Sequence, residues 1–159
     1  MSGGSSNDYE EIGVIGEGTF GRVGKIRRKS DGLVLCWKVI SYGGLNEREK
    51  EQLVAEVNIL RDLNNDHIVK YYDRIIDRER KRLMIVMEYC SGGDLASLIK
   101  KHQKERKYID EEFIWKVLTE VSIALMDCHK KTNGGSILHR DLKPGNLFLD
   151  GEQRVCILI

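Results

Sequence analysis

The sequence predicts an α+β fold divided into two lobes. Three observations predict it. Apolar runs of strand length dominate the N-terminal half, helical periodicity dominates after it, and Ser91-Gly92-Gly93 breaks the chain between them. At 159 residues the chain is one domain or part of one, and 41% apolar with 32% charged residues makes it globular rather than disordered. A formal net charge of +1 offers no global field for nucleic acid or an acidic membrane, so any ligand has to be held by a local site. No apolar run is long enough to span a bilayer. Cys36, Cys90, Cys128 and Cys156 are far apart and form no C-x-x-C pair. They read as reduced, buried thiols of a cytosolic or nuclear protein, not as a disulfide framework or zinc site.

Taken in order, residues 1–8 (M-S-G-G-S-S-N-D) are small and polar and read as a mobile tail without the apolar stretch of a signal peptide. Residues 9–15 and 22–28 read as strands flanking a glycine cluster, and 33–40 as a third strand carrying one lysine. Over 45–63 the period changes to helical: Asn46 caps, Glu49 reaches back, and Leu53, Val57 and Leu60 follow at helical spacing. Residues 68–76 and 82–88 read as a hairpin across the polar D-R-E-R-K. After the glycine break, 94–103 reads as a short helix with Asp94 near its start. Residues 110–131 form the longest helix, with Phe113, Ile114, Val117, Leu118, Val121, Leu125 and Cys128 as a wide apolar stripe. T-N-G-G then makes a turn. The division this implies is a tail at 1–8, a small lobe at 9–90 and a larger, helical lobe at 91–159.

Four local signals carry chemistry. I-G-E-G-T-F-G-R-V, residues 15–23, has glycines at 16, 18 and 21 that let a backbone approach phosphate oxygens. Alone it is equally a glycine-rich hairpin turn. A dinucleotide-binding loop should open a helix, whereas R-V-G-K-I-R-R continues as a strand, which fits a flap over a nucleotide. Lys38 lies in the apolar run L-V-L-C-W-K-V-I. Alone it is an edge lysine whose stem snorkels to water. On a strand it shares a face with small Cys36, which leaves room for a flat base while Lys38 reaches a phosphate. Glu56 falls between Leu60 and Leu63 on the helical stripe, where a carboxylate needs a cation or a path to solvent; Lys38 is the obvious partner. The most specific signal is H-R-D-L-K-P-G-N, residues 139–146. Pro144 forbids a regular helix there, so an irregular loop can aim Asp141, Lys143 and Asn146 at one point. The carboxylate can orient a hydroxyl and accept its proton, the ammonium can neutralise a phosphate and the amide oxygen can hold magnesium. A charged surface loop is the bland alternative. The flanking apolar residues Ile137, Leu138, Leu147, Phe148 and Leu149 argue against it.

In this order the signals resemble the protein-kinase signature set, G-x-G-x-x-G-x-V, V-A-I-K, a helix glutamate and H-R-D-L-x-x-x-N, with L-C-W-K here in place of V-A-I-K. Lys143, two residues after the aspartate, is what that loop carries in serine/threonine kinases. K-I-R-R-K-S-D-G, V-K-Y-Y-D-R-I-I-D-R, I-V-M-E-Y-C-S-G-G-D-L-A-S and K-P-G-N-L-F-L-D-G are similar to the NIMA-related kinases, nearest the vertebrate mitotic member that works at centrosomes. The resemblance covers residues 9–155. It implies a protein-kinase-like two-lobe fold, ATP and Mg2+ as cofactors, and protein substrates phosphorylated on serine or threonine. It implies a flap over ATP from Ile15, Gly16, Glu17, Gly18, Thr19, Phe20, Gly21, Arg22 and Val23. Cys36 would line the adenine wall, and Lys38 would hold the α- and β-phosphates and pair with Glu56. Met87 would be the gatekeeper, with Glu88 and Cys90 offering backbone groups to adenine. Asp141 would be the catalytic base, Lys143 a phosphate contact and Asn146 the metal ligand. It further implies a cytoplasmic protein, at the centrosome or in the nucleus, with a cell-cycle role and with neither nucleic acid nor membrane as partner.

The resemblance departs at the end. Family members continue past the D-G turn to D-F-G, whereas here R-V-C-I-L-I closes the sequence and Ile159 takes the place of that aspartate. A splice variant, an incomplete gene model or a deliberate fragment each accounts for this. The expectation is a complete small lobe with only the first part of the large lobe, truncated and inactive in isolation. The alternative function is a non-catalytic kinase-like binding module or interfering fragment. Missing helices would leave Val117, Val121 and Leu125 uncovered for a partner or chaperone.

Overall fold

The computed structural model describes residues 4–18, 21–130 and 136–159. The expected T-N-G-G turn lies outside the described residues. By internal contacts the chain divides into two units, Met1–Asp62 with Lys70–Tyr89, and Leu63–Val69 with Cys90–Ile159.

The first unit is a five-stranded antiparallel sheet in the order β1-β2-β3-β5-β4, with one helix. Its strands are β1 (Tyr9–Gly18), β2 (Gly21–Arg28), β3 (Val34–Ser41), β4 (Tyr71–Asp77) and β5 (Arg82–Glu88); α1 (Glu47–Asp62) separates β3 from β4. Alternation sends Ile26, Leu35, Trp37, Met84 and Val86 to one face, where they bury with Tyr9 and Ile75. The other face carries Val23, Lys25, Cys36, Lys38, Ile85 and Met87, which oppose one another in register. Helix α1 starts where the sequence places a capping box. Asn46 Oδ1 accepts the Glu49 N–H at 3.0 Å, and Glu49 Oε2 accepts the Asn46 N–H at 2.8 Å. Of the tail, Ser6–Asp8 form a 3-10 turn, and the Gly4 N–H donates to Asp73 at 3.1 Å.

The second unit packs α2 (Leu95–Glu105) and α3 (Glu111–Lys130) with a three-stranded antiparallel sheet, β6 (Gly93–Asp94), β7 (Leu147–Leu149) and β8 (Val155–Ile157). Asp94 caps α2 through the Ser97 N–H at 2.8 Å. The core joins Leu95, Val121, Ala124, Cys128, Leu147, Leu149, Val155 and Ile157 to Leu63 and Ile68. A Cβ at Gly92 would stand 2.7 Å from Leu149 Cβ and 2.9 Å from its carbonyl, so only glycine lets this segment reach β7. Residues 68–70, expected in the hairpin, lie outside it: β4 begins at Tyr71, and Ile68 instead bridges Ile157 in parallel. The Val69 N–H donates to the Ile157 carbonyl, and the Ile157 N–H to the His67 carbonyl, both at 2.9 Å.

Helix α3 has two apolar faces, and this corrects the expectation for its stripe. Val121 is buried, and Val117 and Leu125 pack on the core. The exposed set is Ile114, Trp115, Leu118, Ile123 and Met126. With Thr119 and Ser122, the last four of these line a shallow groove of about 410 Å³. Trp115 lies about 60° around the helix from the edge of the stripe, at 100° per residue.

Candidate active site

In the glycine segment, Gly16 opposes Val23, Glu17 opposes Arg22, and Gly18 opposes Gly21. Thr19 and Phe20 lie outside the described residues. Two of these glycines have different reasons to be glycine. Gly21 has φ +130°, and a Cβ there would come 2.0 Å from the Val39 carbonyl, so the fold itself demands it. A Cβ at Gly16 would meet nothing within 4 Å, so no packing demands glycine there, and the backbone stays open to an approaching group. Ile15 is half exposed beside it. On the far side of the sheet from Lys38, Arg22 ion-pairs with Glu11 and, at 3.9 Å, with Glu17.

Lys38 is half-buried on β3 beside Val23 and Ile85, and no carboxylate among the described residues pairs with it. Cys36 and Met87 are buried next along the same face. Burial pushes the Cys36 thiol up to about 12, with the nearby Glu88 carboxylate adding to the shift. The thiol therefore keeps its proton and donates to the Glu88 carbonyl at 3.2 Å. The Glu88 N–H is already bonded to the Lys70 carbonyl at 2.9 Å. Cys90 is half-buried in the second unit, and its carbonyl accepts the Gly93 N–H at 3.3 Å.

The expected Lys38–Glu56 pair is not formed. Glu56 is exposed and makes no ion pair with Lys38 among the described residues. The stripe reading assigned it to the apolar face of α1. The only buried residue of that helix is Val57, with Val54 and Ile59 exposed around it, so the true inward face is narrow and excludes Glu56. This is the arrangement expected when the helix stands away from the lysine.

The H-R-D loop does bring its three residues together. Lys143 Nζ donates to Asp141 Oδ2 at 2.7 Å. Asn146 Nδ2 donates to the same oxygen at 3.0 Å and to the Asp141 carbonyl at 2.8 Å. The Lys143 ammonium, then the Asn146 amide, hold the Asp141 carboxyl below its ordinary value, although the group is open to water. The chain makes this cluster by a left-handed Arg140 (φ 61°), an extended Lys143 and a 3-10 turn over Pro144–Asn146. Buried Leu147 and Leu149 anchor the loop, and Ile137 packs on the core, but Leu138 is 57% exposed and does not. His139 is a residue the sequence reading left without a role. Its Nδ1 accepts the Asp141 N–H at 3.2 Å, and its Nε2 carries the proton donated to the Leu158 carbonyl at 3.0 Å. Its place at the head of H-R-D was the available signal.

The model of the protein kinase domain matches residues 9–158. The chain belongs to the protein kinase domain family. It is 58% identical over 151 residues to the serine/threonine-protein kinase Nek2 of Homo sapiens, covering 94% of this chain and 34% of that protein. It is 54% identical over 149 residues to the probable serine/threonine-protein kinase nek2 of Dictyostelium discoideum, covering 94% and 35%. With the G2-specific protein kinase nimA of Emericella nidulans it shares 39% over 173 residues, covering 94% and 25%. The chain thus spans about a third of the length of the Nek2 relatives it matches.

Protein kinases use ATP with magnesium, and the residues present fit the two unequally. For the nucleotide, the open side of Gly16 and the Lys38 ammonium, which pairs with no carboxylate among the described residues, are both suited to phosphate oxygens. For the metal, Asn146 turns both its described hydrogen bonds through Nδ2, which leaves Oδ1 as a ligand oxygen. No group of three or more His, Cys, Asp or Glu that could hold a metal occurs among the described residues. Magnesium of this kind is bound through one or two carboxylates plus substrate phosphates and waters, so Asn146 Oδ1 would be one of its ligands and not the whole protein share.

Proposed function

We propose that the chain carries the ATP-binding sheet and catalytic loop of a serine/threonine protein kinase, transferring the γ-phosphoryl group of ATP to protein hydroxyls. The observation that carries the reading is the Asp141–Lys143–Asn146 cluster. One carboxylate oxygen takes both the ammonium and the amide, so the other, Oδ1, is left to a substrate hydroxyl. Its lowered pKa keeps Asp141 ionised at neutral pH and makes it a weak base. Its work is therefore to orient the hydroxyl and to take the proton late, as the O–P bond forms. Lys143 has further N–H donors for the transferring phosphoryl group, where preorganised donors matter most. The Gly16 backbone and Lys38 hold the other phosphates. Asn146 Oδ1 would hold magnesium, which would supply charge neutralisation to the phosphates when bound. The face with Cys36 and Met87 receives the adenine.

The test is transfer of labelled γ-phosphate to serine, threonine and tyrosine peptides, with Asp141→Asn alongside. Transfer to serine or threonine that the variant loses supports the reading; equal background counts in both refute catalysis. A second reading, nucleotide binding without transfer, is favoured by Glu56, which is exposed and makes no ion pair with Lys38 among the described residues. Nucleotide affinity measured in parallel separates the two. A cell-cycle role, at the centrosome or in the nucleus, is part of this proposal and rests on the likeness to Nek2 and to a kinase named G2-specific. No helix among the described residues is long and apolar enough to cross a membrane.

A further inference from the structure

Two side chains on the Cys36–Lys38 face of the first sheet meet across an intervening strand. The Lys25 ammonium lies 4.1 Å from the centroid of the Tyr89 ring. Lys25 opposes Cys36 and Cys36 opposes Met87, so all three project from one side. Tyr89 follows Met87 by two residues, just past the end of β5, and alternation keeps it on that side. β2 and β5 are not neighbours, because β3 lies between them. At about 4.8 Å per strand spacing the contact bridges roughly 10 Å, above residues 34–36 of β3. That end of β3 is the one away from Lys38, since Cys36 and Val34 stand about 7 and 13 Å from it at ~3.3 Å per residue.

A lysine on a sheet of this kind ordinarily extends its head into water. Here it does otherwise. Among the described residues no carboxylate pairs with Lys25, and both it and Tyr89 are half-buried. What holds the ammonium is the negative face of an aromatic ring, well inside the ~6 Å range of such contacts. A lysine stem held in this way walls one end of the strip formed by Val23, Cys36 and Met87.

We propose that Lys25 and Tyr89 form a staple that fixes the outer lip of the nucleotide slot, at its base and ribose end. The inference rests on the nucleotide reading of this face. Lys25 is a positioning residue: it holds a wall in place and does not touch the phosphates. Its effect is therefore the same for a nucleoside as for the triphosphate. Losing a cation–π contact at a partly exposed site corresponds to about 2–5-fold in affinity.

The experiment is displacement of a fluorescent ATP analogue from the full chain by ATP and, separately, by adenosine. Lys25→Ala is expected to weaken both about 2–5-fold, and equally. Tyr89→Leu does the same, the double variant loses no more than either single one, and Lys25→Arg, which keeps a cation on the ring, restores affinity. Lys25→Met retains the packing of the stem and replaces Lys25→Ala if the latter lowers the melting temperature. Additive losses, a loss confined to ATP, or no loss at all overturns the staple. Lys38→Met keeps the two readings apart. If it weakens ATP while the Lys25 variants change nothing, the nucleotide site stands and the staple falls; if the parent displaces no analogue, both fall.

Discussion

Two pairs of charged residues in this chain were expected to meet, and only one does. Lys143 and Asp141 are two residues apart and joined at 2.7 Å; Lys38 and Glu56 are eighteen apart, and their carboxylate and ammonium are not paired among the described residues. The first pair depends on a short stretch of backbone whose course is set by one left-handed residue and one proline. The second depends on where a whole helix lies against a sheet. A helix with Val57 as its only buried side chain is weakly held there. The difference separates geometry written into the chain from geometry that has to be assembled. It makes α1 the adjustable element of the first unit and the H-R-D loop the fixed element of the second.

The largest expected effect belongs to the fixed part. Asp141→Asn keeps the volume and can keep the contact with Lys143, but it removes the charge that orients the hydroxyl and takes its proton. Phosphoryl transfer should fall by about 10²–10⁴-fold, with ATP affinity changed little. Steady-state kinetics with a serine peptide checks this. A loss seen only in KM would mean that the carboxylate binds substrate and does no more.

The anchor of that loop gives the next effect. Ile157 is fully buried, bridges Ile68, and is followed by Leu158, whose N–H donates to the Asn146 carbonyl at 3.0 Å. Ile157→Ala should cost about 2–5 kcal/mol in a urea or thermal unfolding measurement. At that magnitude a large part of a domain's stability goes, and the loop's three-residue cluster should go with it. A cost below about 1 kcal/mol would show that β8 does not support the loop.

Asp150 comes third. Burial pushes its carboxyl up, but the Arg154 and Glu152 N–H groups, at 2.8 Å each, and the Arg154 guanidinium at 2.9 Å leave it below its ordinary value. A carboxyl lowered by folding stabilises the fold above its unfolded pKa, and that stabilisation is lost as pH falls through the folded one. Asp150→Asn should therefore cost about 1–3 kcal/mol at neutral pH. The gap between the two proteins should close as pH falls below about 4. A gap that stays constant from pH 7 to pH 3 would mean that the charge is not what the turn uses.

The same division between local and assembled geometry decides what the sequence made legible. The capping box of Asn46 and Glu49 spans three residues and forms as read. So do the start of α2 near Asp94 and the bend at Pro144. The register that puts Cys36 and Lys38 on one face follows from alternation alone. What went unread needed a partner distant in sequence. Residues 68–69 look like the start of a strand and instead bond to β8, nearly ninety positions on. Trp115 falls off a stripe that describes only one of the two apolar faces of α3. Glu56 has helical phase that fits the stripe, but phase gives no account of how far a helix stands from its sheet.

Glu56 supplies the smallest expected effect and the one that tests the comparison most directly. Its carboxylate is exposed and without the Lys38 ammonium, so Glu56→Ala removes no ion pair from the ground state. Alanine is also the better helix former by a few tenths of a kcal/mol. The change in stability should stay within about 0.5 kcal/mol, or about 1–2 °C in melting temperature for a chain of this size. Nucleotide sharpens the test. If ATP binding draws α1 inward, the carboxylate acquires a partner only in the bound state. Glu56→Ala should then weaken ATP binding or transfer while leaving the melting temperature of the free protein where it was. Thermal melts of parent and variant, with and without ATP, separate the cases. A fall of several degrees without nucleotide would mean that the pair already exists in the free protein and that α1 is as fixed as the loop. No difference in either state would mean that Glu56 takes no part in the site.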